Sequence, residues 1–123
     1  MTRVFKFCIW CIFFVILLFS SLVQSAAFLS NIEDLPLMTG LTEEKDSAIL
    51  FESSSGRIAE SIAVGKISER DVSKFYKETL PQFGWNTDLV NWFWREEEIL
   101  SLRFSLINEE NGTIRVHFKI VPR

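Results

Sequence analysis

Cysteine is nearly absent from this chain, and the position of its two cysteines excludes several kinds of site. Cys8 and Cys11 both lie in an uncharged apolar run near the N-terminus. The remainder of the sequence therefore has no thiol nucleophile, no disulfide and no cysteine-ligated metal. CIWC has the spacing of a redox motif, but a hydrophobic leader provides no folded active site around it. Neither cysteine follows the apolar run, so the sequence does not predict lipid attachment.

Residues that carry out chemistry are also scarce. His117 is the only histidine, so no second one is present to complete a zinc site, and its place in a strand is typical of a solvated side chain. The acidic clusters TEE, REEE and NEEN lack the alternating ligand spacing of a calcium loop. The sequence has no phosphate-binding glycine loop and no nucleophile-elbow motif. We therefore predict no cofactor, no metal site and no catalytic residue.

The first 25 residues have the pattern of a secretory signal. Basic residues begin the chain, and Phe7–Phe19 then runs without a charged or polar side chain. Small residues follow and provide suitable cleavage points after Ser25 or Ala27. We predict an exported, periplasmic protein. In the alternative, Val4–Val23 remains in the inner membrane as an anchor, because about 20 apolar residues span a bilayer.

The exported part is acidic. Without the first 25 residues, 11 lysines and arginines remain against 16 aspartates and glutamates, a net charge near −5. Nonspecific nucleic-acid binding depends on an excess of basic charge, which is missing here. The expected partner is therefore a protein or a lipid of the cell envelope, with membrane contact through the N-terminal segment as an additional possibility.

The remaining residues divide into a lead-in segment and one domain. Residues 26–47 show no sustained period and contain Pro36 and Gly40, which predicts an extended lead-in segment. Residues 48–123 are expected to form a single α+β domain. Its first hairpin is predicted from AILFES and RIAESIAVG, with SSG as the turn. The apolar residues expected to hold the lead-in segment against the domain are Leu35, Leu37, Met38 and Leu41.

Residues 68–80 form the one segment with a convincing helical period. Ser68 and Asp71 have the spacing of an N-cap and an acidic residue that hold free amide groups of the first turn. Pro81 ends the helix, and Gly84 allows the sharp reversal into the next strand. We interpret this corner as architectural. The residues expected to pack in the core here are Val72, Phe75, Tyr76, Thr79, Leu80 and Trp85.

The C-terminal third alternates with period two and predicts two hairpins, built from NWFWR, EILSLRFSLI and TIRVHFKIV. The predicted order is β-β-α-β-β-β(-β) after the hydrophobic leader. This order favours an α+β fold in which one helix packs on an antiparallel sheet. The predicted core rows are Leu100, Leu102, Phe104 and Leu106 on one strand and Ile114, Val116, Phe118 and Ile120 on its partner.

The segments DLPLMTGL, GRIAE, FYKETLPQFGW and FWREEEIL occur in this order. With them, the chain resembles a family of small exported alphaproteobacterial proteins, over about residues 33–122. Relatives tend to have proline in place of Thr39, aspartate in place of Glu52 and glycine near Glu97. The resemblance implies a signal followed by a small domain. It brings no reaction, ligand or catalytic residue.

The pairing of the C-terminal strands predicts one distinctive surface. A two-residue turn at Glu96 and Glu97 places Trp92 opposite Ser101, and aligning the apolar rows places Arg103 opposite His117. An acidic protein then gathers a basic and aromatic patch on one side of its sheet, which we name the outer face. Its residues are Trp92, Trp94, Arg103, Arg115, His117 and Lys119.

Two functional hypotheses follow from these patterns. The first is a noncatalytic envelope module that uses the outer face to dock an anionic or amphipathic partner, such as an acidic protein segment or lipid head groups. The alternative to docking is that the basic side chains of the outer face only shield the indole rings from water and bind no partner. The second is a small carboxylate-dependent hydrolase or glycan-active enzyme, with Glu52 and Glu60 as its acid pair.

Overall fold

A computed structural model describes residues 27–123, so the predicted signal or anchor, residues 1–25, lies outside the described residues. The helix is α1 (Glu69–Thr79), and a 3-10 turn at Leu80–Phe83 follows it. The strands, in chain order, are β1 (Phe28–Leu29), β2 (Ile32–Pro36), β3 (Thr42–Glu43), β4 (Ile49–Ser53), β5 (Gly56–Gly65), β6 (Asn86–Leu89), β7 (Trp92–Arg95), β8 (Glu98–Asn108) and β9 (Thr113–Pro122).

The strands form an antiparallel seven-stranded sheet with the order β3-β5-β9-β8-β7-β6, and β4 pairs with β5 on the same side as β3. A separate hairpin consists of β1 and β2. The α+β class is confirmed, although the described chain is mainly sheet with one short helix. The predicted element order is wrong, because β1, β2 and β3 precede the first predicted hairpin. Strands of two to five residues are too short to produce a recognisable period.

The lead-in segment is part of the packed core. Leu29, Ile32, Leu35 and Leu41 are almost completely buried. A polar link joins this segment to the sheet: the Glu43 carboxylate accepts a hydrogen bond from the buried Ser61 hydroxyl at 2.7 Å. These contacts connect residues far apart in sequence, so local periodicity does not reveal them.

The helix and its corner follow the sequence prediction closely. The backbone N–H of Asp71 donates to the Ser68 hydroxyl at 3.1 Å, which is the predicted N-cap. Pro81 lies inside the 3-10 turn that extends the helix, and Gly84 ends that turn with a φ of +87°. The positive φ is accessible to glycine without steric cost. The chain then turns to place Trp85 in the core.

The inner face of the sheet, which packs against α1, contains the apolar rows predicted for β8 and β9. The ring of Tyr76 lies edge-on to that of Phe118, with the centroids 5.3 Å apart. Leu106 is the exception, since 53% of its surface is exposed. An eleven-residue helix is about 16 Å long, whereas an eleven-residue strand is about 37 Å long, so the helix cannot cover the far end of β8.

Candidate functional site

The structure brings the predicted outer-face residues together on one side of the sheet. The register is as expected from the sequence, with Trp92 opposite Ser101 and Arg103 opposite His117. The turn at Glu96 and Glu97 is also present, and Glu96 adopts a φ of +51°. All six predicted residues therefore share the face that points away from α1.

The aromatic part of the outer face is open to solvent. Trp92 is 51% exposed and Trp94 is 38% exposed. Sequence reasoning identified these two rings but missed an apolar row that continues from them across the sheet. The alternation of β4 and β5 was the signal that could have revealed it. Phe51 pairs with Ile58, and Val121 pairs with Ile99, which pairs with Trp94. Because Ala59 pairs with Ile120, continuing the same register places Ile58 beside Val121 and completes the row.

The basic part of the outer face is less basic than predicted, because β5 and the residue that follows β3 bring carboxylates to it. Glu60 lies opposite Lys119, with its Oε1 3.3 Å from the Lys119 Nζ, and its Oε2 lies 3.5 Å from Nε2 of His117. Arg115 contacts Glu44 at 3.4 Å. These pairs are part-exposed and contribute little to stability, yet they reduce the positive charge presented to a partner.

His117 lies between an acid and a base. Its Nδ1 lies 3.4 Å from a guanidinium nitrogen of Arg103, which can only donate, so Nδ1 must be the acceptor. Nε2 of the same ring faces Glu60. These two contacts orient the imidazole, and no hydroxyl or thiol group contacts it among the described residues.

Arginine side chains cover two indole rings, one of them on the outer face. The guanidinium carbon of Arg123 lies 4.7 Å from the centroid of Trp94, and that of Arg95 lies 4.3 Å from Trp85. Such cation–π contacts stabilise by about 0.5–1 kcal/mol at exposed sites. The predicted shielding of the outer-face indoles is therefore provided at Trp94 by Arg123, a residue that the sequence prediction did not include.

The predicted acid pair is not assembled. Glu52 pairs across the hairpin with Arg57, whereas Glu60 pairs with Ile49. Because side chains alternate between faces along a strand, Glu52 and Glu60 point to opposite sides of the sheet. Glu52 and Glu60 therefore cannot act together on one substrate as the hydrolase hypothesis requires.

Two other acids, Asp34 and Glu98, form a network with arginines on the inner side of the sheet. Arg57 donates to both carboxylate oxygens of Glu98, at 2.6 and 3.2 Å, and Asp34 contacts both Arg57 and Arg95. The hydrogen-bonded Glu98 carboxylate raises the pKa of Arg57 above its ordinary value. This network joins the lead-in segment to β5, β7 and β8, and its carboxylates are occupied by structural partners.

A groove of about 760 Å³ lies between α1 and the β6–β7 hairpin. Leu89 and Val90 form the hairpin tip and are 65% and 75% exposed. The groove is lined by charges of both signs, with Lys74 and Lys77 near Glu78. Sequence reasoning did not single out this surface, and its mixed charge does not select one class of ligand.

In residues 27–123, no group of three histidine, cysteine or acidic side chains is arranged to hold a metal ion. Within the same range, no helix has the length and apolar character needed to cross a membrane.

Comparison with known proteins adds no relative. No protein-family model, no curated protein and no solved structure matches the chain. The resemblance to small exported alphaproteobacterial proteins therefore stays a prediction.

Proposed function

We propose that this protein is a noncatalytic interaction module of the cell envelope, which docks an anionic or amphipathic partner on the outer face of its sheet. The observation that carries the proposal is the exposure of Trp92 and Trp94 beside a row of apolar residues on a face that α1 does not cover. Large apolar patches rimmed by polar groups mark interaction surfaces.

The composition of this face suits recognition. Tryptophan and arginine are enriched among the residues that dominate binding energy, because they combine a large apolar surface with a polar group. Trp92 is exposed, and Ser101 and then Lys119 follow it across the sheet. An amphipathic partner can cover the indole and place its acidic groups against the neighbouring cations.

The charges that remain available favour an anionic partner. Glu60 pairs with Lys119, and Glu44 pairs with Arg115. Arg103 and Arg123 make no ion pair with another described residue. A carboxylate or phosphate of the partner can contact either guanidinium group without displacing an internal acid, and it can bind bidentately.

Export belongs to the same proposal. The apolar run Phe7–Phe19, preceded by basic residues and followed by small ones, supports a cleaved signal and a periplasmic location. Retention of Val4–Val23 in the inner membrane is the second possibility for the same segment. The resemblance to exported alphaproteobacterial proteins agrees with both forms. Either form places the domain in the envelope, where a partner protein or lipid head groups are within reach.

The test is site-specific photo-crosslinking in intact cells. A photoreactive residue replaces Ser101, which lies between Trp92 and Lys119 on the outer face, and a matched control replaces Glu78 on α1. We expect a discrete crosslinked product from position 101 only.

Variants then connect the product to the proposed residues. Trp92→Ala combined with Trp94→Ala, or Arg103→Glu alone, should remove the product while the melting temperature stays close to that of the unmodified protein. An equal product from both positions, or one that persists in these variants, would contradict docking on the outer face. A loss of stability with retained association would assign the rings to the fold.

A further inference from the structure

The strand β4 leaves one edge of the main sheet open. Among the described residues 27–123 it pairs with β5 alone, and the turn between them has two residues, Ser54 and Ser55. In such a hairpin the residues next to the turn exchange both backbone hydrogen bonds, and the pattern then alternates. Ile49, Phe51 and Ser53 therefore bond to β5. The N–H and C=O groups of Leu50 and Glu52 point away from the sheet, and neither residue has a backbone hydrogen bond to a turn or loop of the described chain.

This edge lacks the features that normally prevent strand addition. Ile49, Leu50 and Phe51 are 55%, 46% and 62% exposed. β4 contains no lysine, proline or bulge, and its one charge, Glu52, lies towards its end. Proteins usually protect open edges with such features, because unpaired backbone groups are a template for another strand.

The opposite edge of the same sheet is protected. β6 has a register shift between Asn86 and Leu89. Its Thr87 hydroxyl contacts the carbonyl oxygens of Leu89 and Trp92, and the Asn86 amide donates to the carbonyl of Trp94. An irregular strand whose side chains bond to the backbone is a poor template for pairing. The contrast isolates β4 as the edge available for addition.

We propose that β4 pairs antiparallel with β4 of a second copy of this chain, with Leu50 on the two-fold axis. A dimer of this kind uses the same surface on both copies, so the strand must be complementary to itself. In this register, Leu50 faces Leu50 of the other copy through its outward backbone groups. Ile49 faces Phe51 twice, and Glu52 faces Ala48 twice. Pairs of β-branched and aromatic residues are favourable across strands.

Neighbouring registers are less complementary. With Glu52 on the axis, two carboxylates of like charge face each other, which is unfavourable. With Phe51 on the axis, each Glu52 carboxylate faces the apolar Leu50 side chain of the other copy. Only the register centred on Leu50 places each of Ile49, Leu50 and Phe51 opposite another residue of this apolar set. This self-complementarity favours a second copy over an unrelated strand as the occupant.

Pairing on β4 would join the two outer faces. The apolar row that runs from Trp94 to Phe51 ends at this edge, and Ile49 and Phe51 of the other copy would continue it. Trp92 lies towards the opposite edge, on β7. The dimer contact is therefore separate from the docking residues, and the two proposals can fail independently.

Disulfide trapping tests the pairing and its register. The exported protein, with Cys8→Ser and Cys11→Ser so that no native thiol contributes, is purified in mild detergent with either Ile49→Cys or Phe51→Cys. In the proposed register these positions form non-hydrogen-bonded pairs with Cα atoms about 4.5 Å apart. That separation permits a disulfide. We expect mild oxidation to crosslink a mixture of the two variants, and neither variant alone.

Sedimentation provides the second measurement. The unmodified protein should be a dimer, and Phe51→Lys should shift it towards monomer at the same concentration. Leu50→Pro should do the same, because it removes an outward N–H and leaves the bonds to β5 in place. The control Ile107→Lys, at an exposed position on β8, should remain dimeric.

Three results would overturn the proposal. An unmodified protein that sediments as a monomer at all concentrations leaves no dimer to explain. Efficient crosslinking of Phe51→Cys with itself would place Phe51 on the axis, against the proposed register. Capture of an extended segment of a different protein by β4, with no dimer, would assign the edge to another partner.

Discussion

The Tyr76 hydroxyl donates a hydrogen bond to the backbone carbonyl of Pro36 at 2.9 Å. The same oxygen accepts from the backbone N–H of Met38 at 3.2 Å. The helix and the lead-in segment are thus joined by one fully buried side chain, 40 residues away in sequence from the carbonyl that it contacts.

Tyr76→Phe tests this connection. The ring and its contact with Phe118 remain, but the buried Pro36 carbonyl and the part-buried Met38 N–H lose their partner. A buried group without a hydrogen bond costs about 1–3 kcal/mol, so the free energy of unfolding should fall by about this amount. Chemical denaturation monitored by circular dichroism measures it. An unchanged midpoint would show that other donors and acceptors replace the hydroxyl.

The same residue predicts a loss of stability at high pH. Burial raises the pKa of Tyr76 above its ordinary value, so the folded state keeps the phenol neutral while the unfolded state ionises. The contribution of the neutral, buried phenol to the free energy of unfolding is fully present below about pH 10, the ordinary tyrosine pKa. Above that pH the free energy of unfolding falls by about 1.4 kcal/mol per pH unit, because the unfolded state ionises. Tyr76 is the only tyrosine, so its ultraviolet absorbance reports ionisation directly.

We expect phenolate absorbance to appear together with unfolding, and Tyr76→Phe to have a flatter stability profile above pH 10. A phenolate signal in the folded protein near pH 10 would contradict this prediction, because it would show that solvent reaches the hydroxyl.

Trp85→Ala should strongly destabilise the domain. Trp85 is 1% exposed at the helix-to-sheet corner, and Arg95 stacks on its ring. Truncation of a buried tryptophan leaves a large cavity and costs about 3 kcal/mol or more. Trp92→Ala is the matched control at an exposed ring, where the cost should be about 1 kcal/mol or less. Thermal unfolding of the two variants checks the difference, and similar losses would mean that Trp92 is packed.

Gly65→Ala should also destabilise the protein, through a backbone contact. A Cβ at this position would overlap the carbonyl oxygen of Gly40, which cannot move as a flexible side chain can. Overpacking of this kind costs about 2 kcal/mol or more where backbone must shift. Gly112→Ala is the comparison, since no atom lies within 4 Å of its added Cβ and its φ of +69° alone imposes strain. A Gly65 variant as stable as the Gly112 variant would refute the clash.

The N-terminus of the purified native protein tests the leader. If the signal is cleaved, the first residue is Ala26 or Phe28, and the protein stays in solution without detergent. Mass spectrometry of the intact protein gives the answer. Recovery of Met1 in washed membranes would establish the anchored form, in which Val4–Val23 remains in the bilayer.

Local patterns in the sequence were sufficient for the helix and for the register of the C-terminal hairpins. The Ser68 cap and the apolar stripe of α1 depend on residues three or four positions apart. The two-residue turn at Glu96 and Glu97 fixes which residues face each other in β7 and β8. Both features are determined by close neighbours in the chain, so they can be predicted from the sequence.

Pairing between distant segments decided the rest. The placement of β5 beside β9 brings Glu60 to Lys119 and His117, which reduces the basic character predicted for the outer face. The same placement leaves β4 with an open edge, and the burial of Leu35 makes the lead-in segment part of the core. The sequence alone determined which residues alternate along each strand. Only the tertiary structure decided which strands are neighbours, because that choice depends on the total burial and hydrogen bonding of the packed chain and not on any local period.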